Sequence, residues 1–132
     1  MLLVEEIMTK PVFSIPAEDS AEQAAWSLTL RGFSGAPVVD KDGAVIGMLS
    51  KSDLVDPGPR DWIVGEAKAI DLSSPQVYAV YAGDPALAAA QLMAKRKLHR
   101  VLVLDDESQP VGMVSASDVV KAVADGKRFD ID

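Results

Sequence analysis

The feature that most constrains this chain is an internal duplication. A shift of 65 residues lays Val4–Val55 on Ala69–Val120 without a gap. Val12 and Phe13 fall on Val77 and Tyr78, Asp19 on Asp84, Arg31 on Arg96, Val38 on Val103 and Asp40 on Asp105. The densest agreement sets Gly47-Met48-Leu49-Ser50-Lys51-Ser52-Asp53-Leu54 over Gly112-Met113-Val114-Ser115-Ala116-Ser117-Asp118-Val119. One register held over this length marks a repeated supersecondary unit. Asp56-Pro57-Gly58-Pro59 breaks any regular element. The chain therefore divides into repeat 1 (residues 1–55), a linker (56–68), repeat 2 (69–125) and a C-terminal tail (126–132).

Each repeat reads as β-α-β-β-α. The first strand is expected over Val12–Ile15 and Val77–Val80. A helix follows, with Asp19 and Asp84 as expected N-caps, Glu22 as a capping-box partner and Pro85 at the first helical position. Ala21, Ala24, Ala25 and Leu28 form its apolar stripe, repeated as Ala86, Ala89, Ala90 and Met93. Gly32 suits the helix end, and Lys95-Arg96-Lys97 places cations at the negative pole of the second helix. Strands over Ala36–Val39 and Val45–Leu49, and over Val101–Leu104 and Val111–Val114, flank polar turns and should pair as hairpins. Closing helices are expected from about Ser52 and Ser117. One unit is too small to bury both faces of its sheet, so the fold class is α/β (α+β), two units packed sheet to sheet.

Composition narrows the function. The net charge is −7, which disfavours nucleic acid and anionic lipid as partners. No apolar run approaches the roughly 20 residues that span a bilayer, and the start of the chain is acidic rather than signal-like, so a cytoplasmic location is expected. Cysteine is absent, histidine occurs once, and there is neither a Walker-type loop nor a metal-ligand spacing. Nothing here activates a nucleophile, so the chain is not expected to be an enzyme.

Two β-α-β-β-α units, each with Gly-hydrophobic-hydrophobic-Ser-x-x-Asp at the end of the third strand, resemble a cystathionine β-synthase (CBS) domain pair, or Bateman module. Ile7-Met8-Thr9-Lys10-Pro11-Val12 is similar to the family's opening segment. Gly35-Ala36-Pro37-Val38-Val39-Asp40 and His99-Arg100-Val101-Leu102-Val103-Leu104-Asp105 are similar to its second strand. The resemblance covers about Val4–Ala124 and implies a stand-alone module that forms a disc-like homodimer. It also implies that AMP, ADP, ATP or a related adenosyl compound binds in clefts between the repeats, and that binding signals to a regulated protein. AMP is the expected ligand. No cofactor is required, and Mg²⁺ would accompany only a polyphosphate.

The candidate nucleotide-binding residues are Thr9, Ser50, Asp53, Ser74, His99, Arg100, Ser115 and Asp118. Asp53 and Asp118 offer acceptor oxygens for a ribose diol, as the resemblance implies, and serines at a helix start can assist a phosphate. The same residues could simply cap the helices that follow. Gly47 permits a close backbone approach. Thr9 and Ser74 align at the lead-in to the first strands, where the resemblance places base and phosphate, and an ordinary turn role is as open. Arg100 is the expected phosphate anchor, with His99 either assisting it or lying on the surface; Ser34-Gly35 replaces the pair in repeat 1, so the two sites should be unequal. Lys51, replaced by Ala116, is a further cation. Trp62 would cover a core edge or make a dimer contact. The alternative reading is a ligand-independent dimerisation or docking domain.

Overall fold

The computed structural model describes residues 1–10, 12–55 and 67–130. Trp62 and Pro11 lie outside the described residues. The elements run α1 (Val4–Ile7), β1 (Ile15–Pro16), α2 (Ala21–Arg31), β2 (Gly35–Val39), β3 (Val45–Ser50), α3 (Lys51–Val55), α4 (Ala69–Leu72), β4 (Ala79–Tyr81), α5 (Ala86–Arg96), β5 (Arg100–Leu104), β6 (Pro110–Ser115) and α6 (Ala116–Ala124). They form two three-stranded sheets, β1-β2-β3 and β4-β5-β6. In each sheet the first two strands are parallel, joined by a crossover helix, and the last two form the expected antiparallel hairpin.

The compact units do not follow the sequence repeats end to end. Unit 1 joins Met1–Val12 to Tyr78–Asp132, and unit 2 is Phe13–Val77. The lead-in that precedes each repeat in sequence thus packs with the body of the other repeat. In unit 1, Val4 and Ile7 of α1 enter a core with Val80, Val101, Val103, Val114, Ala86, Ala89 and Met93. In unit 2, Ala69 and Leu72 of α4 enter a core with Ile15, Val38, Leu49, Ala21, Ala24 and Leu28. Ala21, Ala24, Ala86 and Ala89 of the stripes are fully buried, which lets each crossover helix approach its sheet closely, whereas Ala25 and Ala90 are only partly buried. No helix among the described residues is long and apolar enough to cross a membrane.

Several local expectations shift. Ser20, not Asp19, caps α2, its Oγ accepting from the Gln23 amide at 3.0 Å. Pro85 occupies the N-cap of α5, and Asp84 instead closes the preceding turn by accepting from the Tyr81 amide at 2.9 Å. The first strands begin later than expected, and β1 is a residue shorter than β4. The cause is Pro37. In unit 1 the Leu102 amide donates to the Tyr78 carbonyl at 3.0 Å. Its counterpart Pro37 has no N–H, so that rung of the parallel ladder cannot form in unit 2.

The register also carries two backbone demands that the second copy meets less well. Gly32 ends α2 at φ 71, and Gly43 turns the first hairpin at φ 85. Lys97 and Ser108 hold the same positions at φ 57 and φ 61. A side chain in the left-handed region costs about 1 kcal/mol. Replacing Lys97 or Ser108 by glycine should therefore raise stability by several tenths to about 1 kcal/mol, and Gly32→Ala, where no atom crowds the position, should lower it by about as much. Urea denaturation midpoints at constant m-value check both directions.

Candidate functional site

The strand-to-helix junctions concentrate the polar chemistry. In unit 1 β6 ends at Ser115, which caps α6: its Oγ accepts from the Asp118 amide at 3.1 Å, and Asp118 Oδ2 accepts from the Ser115 amide at 2.9 Å. This reciprocal box satisfies two backbone donors that a helix start leaves open. Capping and ligand chemistry are compatible here, because only one carboxylate oxygen is spent on the cap. The other, Oδ1, accepts from the Thr9 hydroxyl at 3.0 Å.

Thr9 reaches Asp118 because its backbone docks on β6. The Thr9 amide donates to the Met113 carbonyl at 2.8 Å, and the Met113 amide returns the bond at 3.0 Å. That approach requires Gly112. A Cβ there would lie 2.7 Å from Met8 Sδ and 3.0 Å from the Thr9 carbonyl. Unit 2 repeats the arrangement with Ser74 on Met48, both bonds at 2.8 Å, and a Cβ on Gly47 would lie 2.7 Å from Ser73 Oγ and 3.0 Å from the Ser74 carbonyl. The close approach that the glycines permit is therefore that of the chain's own lead-in.

The second junction differs in detail. Asp53 Oδ2 accepts from both the amide and the hydroxyl of Ser50, at 3.0 and 2.9 Å. A hydroxyl has one proton, so in the 2.8 Å contact between Ser50 and Ser52 it is Ser52 that donates. The Ser74 hydroxyl accepts from the Gln76 amide at 3.3 Å instead of bonding Asp53. Among the described residues, unit 2 has no equivalent of the Thr9–Asp118 contact.

Arg100 opens β5 directly opposite Ser115 in the hairpin register and is half-buried. It has no ion-pair partner among the described residues. Gly35 stands opposite Ser50 in unit 2. His99 is exposed, and its carbonyl accepts from the Ala116 amide at 2.9 Å, as that of Ser34 does from Lys51. Lys51 is exposed. A polar depression of about 210 Å³ in unit 1 is lined by Glu6, Thr9, Asp118, Lys121, Asp125 and Lys127, with Arg100 outside it. Sequence reasoning passed over Lys121 and Lys127. It also passed over a contact kept in both copies, in which Arg31 stacks over the Phe13 ring at 4.2 Å and Arg96 over Tyr78 at 5.7 Å. The aligned Arg and aromatic pairs were the available signal for the latter.

With this geometry in view, comparison with known proteins is decisive on kinship. The CBS domain pattern matches residues 4–57 and 68–125. The chain belongs to the CBS domain family. An uncharacterized protein of Methanocaldococcus jannaschii, MJ1426, is 26% identical over 155 residues, spanning 93% of this chain and 92% of that one. The chain spans only about a quarter of MJ1404 from the same organism, and about a fifth to a quarter of the inosine-5'-monophosphate dehydrogenases it matches. Among solved structures, the CBS domain pair of protein MJ0100, in complex with 5'-methylthioadenosine and S-adenosyl-L-methionine, has a TM-score of 0.81 at 24% identity and covers 96% of this chain and 99% of that chain. CBSX2, which is from Arabidopsis thaliana, in complex with AMP, has a TM-score of 0.80 at 24% identity, covering 97% and 100%. The α/β fold with two three-stranded sheets is that of these CBS pairs.

The crowding at the two glycines leads to a direct test. Gly47→Ala and Gly112→Ala should each destabilise the protein by about 1–3 kcal/mol, because a backbone carbonyl must retreat from the new methyl group. Thermal unfolding of the two variants measures the loss.

Proposed function

We propose that this CBS pair is a regulatory module that binds an adenosine-type nucleotide, with AMP as its preferred ligand, and that it does no chemistry on it. The observation that carries the reading is the Thr9 hydroxyl on Asp118 Oδ1 at 3.0 Å. A carboxylate oxygen that already accepts from a hydroxyl beside a helix start has the polarity to accept from a ribose diol. Arg100, half-buried and without a carboxylate partner among the described residues, is the candidate for a charge-assisted bond to phosphate across from Ser115. The adenosyl ligands seen in the CBS pairs of MJ0100 and CBSX2 support the class of compound. Ser50, Asp53 and Ser74 form the weaker site, since Gly35 brings no charge and the Ser74 hydroxyl faces Gln76. So few cations favour a monophosphate; a triphosphate would need Mg²⁺ to offset its charge. Binding biases the conformations that a regulated protein reads, to the extent that the ligand prefers one of them.

Calorimetry with adenosine, AMP, ADP, ATP and S-adenosylmethionine tests this reading. AMP should bind. Asp118→Ala should weaken AMP about tenfold, equivalent to about 1.4 kcal/mol, while loss of its cap costs only about 1 kcal/mol of stability and leaves the protein folded. No heat with any of the five would leave a ligand-independent docking domain.

The module is also proposed to act as a homodimer. Trp26 and Leu30 are 62% and 72% exposed on α2, and Val120 and Val123 are 67% and 60% exposed on α6. Spacings of four and three residues set each pair on one helix face. Light scattering should give twice the chain mass, and the double variant Trp26→Glu with Leu30→Glu, or Val120→Glu with Val123→Glu, should give monomer. A monomeric wild-type protein would end this part of the proposal.

A further inference from the structure

We infer that the C-terminal end of α5 is a docking surface for an acidic segment of the regulated protein, with Lys95, Arg96 and Lys97 as its charges. This rests on the reading of the chain as a module that signals to another protein, and it adds the chemistry of that partner. The nucleotide site, to which Arg100 is assigned, takes no part in it.

Charge in this chain is segregated. Pro85–Leu104 holds Lys95, Arg96, Lys97 and Arg100 and no carboxylate, a net +4 in a chain of net −7, so the remainder carries −11. Lys95, Arg96 and Lys97 are exposed, as is His99 beyond them. None of these four has an ion-pair partner among the described residues, whereas Lys68, Lys121 and Arg128 each pair with a carboxylate. The segments that touch this end meet it at Tyr78, Ser115 and Ala116, which bring no charge. Asp118, further along α6, is spent on Ser115 and Thr9.

The fold does not require these cations. A cation is favourable at the negative pole of a helix, and α2 meets that preference with Arg31 alone. Both crossover helices run for 11 residues, and Leu30 and Gly32 stand in the first where Lys95 and Lys97 stand in the second. Each helix closes through the amide of a left-handed residue, Gly32 at φ 71 donating to the Leu28 carbonyl and Lys97 at φ 57 to that of Met93. Lys97 thus holds a cation in a backbone conformation that glycine adopts with less strain. Arg96, like Arg31, has an aromatic ring beneath it. Lys95 and Lys97 are therefore the charges that neither the duplication nor helix closure explains.

The size of the patch selects the partner. Three consecutive cations match a short run of carboxylates, and clustered cations reading an acidic motif are a recurrent mode of recognition. An extended polyanion fits poorly. Duplex DNA carries a charge about every 1.7 Å of its axis, and a membrane face is wider still, so either lays most of its charge over a protein that is acidic elsewhere. At about 0.1 M ionic strength the Debye length of about 10 Å confines the attraction to the patch, which favours an occupant no larger than it.

An NMR titration of the full chain with an octaglutamate peptide, at about 0.1 M ionic strength, tests this. Amide shifts should centre on Lys95–Arg100. Lys95→Glu with Lys97→Glu should weaken the peptide about tenfold or more, and the charge-matched control Lys41→Glu with Arg128→Glu should leave it within about twofold. Lys97→Gly should weaken it about threefold while raising stability, a combination that damage to the fold would not produce. Shifts absent from this end, or equal loss in the double variant and its control, would overturn the inference. Tighter binding of a short DNA duplex or of phosphatidylserine vesicles at the same residues would assign the surface to nucleic acid or lipid and overturn it as well. So would a dimer that Lys95→Glu with Lys97→Glu turns into monomer in light scattering, because the occupant would then be a second copy. A wild-type protein that takes the peptide but no AMP keeps the surface and loses the nucleotide reading, and the reverse result loses the surface alone.

Discussion

The architecture depends on a single backbone event made twice: a lead-in segment lies along the outer edge of a hairpin strand, over a glycine. Thr9 pairs with Met113 above Gly112, and Ser74 pairs with Met48 above Gly47. An outer strand otherwise presents unpaired amides and carbonyls, which are a liability. Here the lead-in occupies part of that edge, and the short helix before it delivers apolar residues to the core of the same unit. Because each lead-in belongs in sequence to one repeat and in space to the body of the other, folding of the two copies is coupled through the chain itself.

The same event builds the polar site. Docking on β6 brings a hydroxyl from one end of the sequence to a carboxylate 109 residues away. The carboxylate is held for this by its second task, capping α6 from within the first turn. A side chain locked by a cap has little rotamer freedom left to lose when a ligand arrives, which lowers the cost of binding. The duplication supplies two such junctions, and small substitutions separate them. Pro37 removes a rung from the first sheet, Gly35 removes the charge that Arg100 carries, and the Ser74 hydroxyl turns to its own loop.

Much of the fold was legible in the residues. The duplication, the hairpins and the crossover helices follow from a constant register, turn residues and helical spacing, which are local properties. Errors sit at element edges. Ser20 rather than Asp19 caps α2, because adjacent polar residues compete for one cap, and Pro85 stands at the N-cap of α5 without a side-chain bond, because Asp84 is spent on the preceding turn. The short helices α1 and α4 escaped notice: four residues carry too little periodicity to register. The capping reading and the ligand reading of Asp118 appeared as rivals in the sequence, whereas the cap occupies one carboxylate oxygen and the other accepts from the Thr9 hydroxyl.

What the sequence determined alone was the repeating unit, its element order, and which residue types stand at the two strand-to-helix junctions. These depend on neighbours a few positions apart, so they survive in one dimension. Tertiary structure decided that Thr9 meets Asp118 while Ser74 does not meet Asp53 by the same bond, that Gly47 and Gly112 make room for backbone, and that Lys127 comes to the rim of the Asp118 depression. Each of those contacts joins groups whose distance is set by how sheets, lead-ins and helix ends pack, and packing depends on three-dimensional shape that no local spacing encodes.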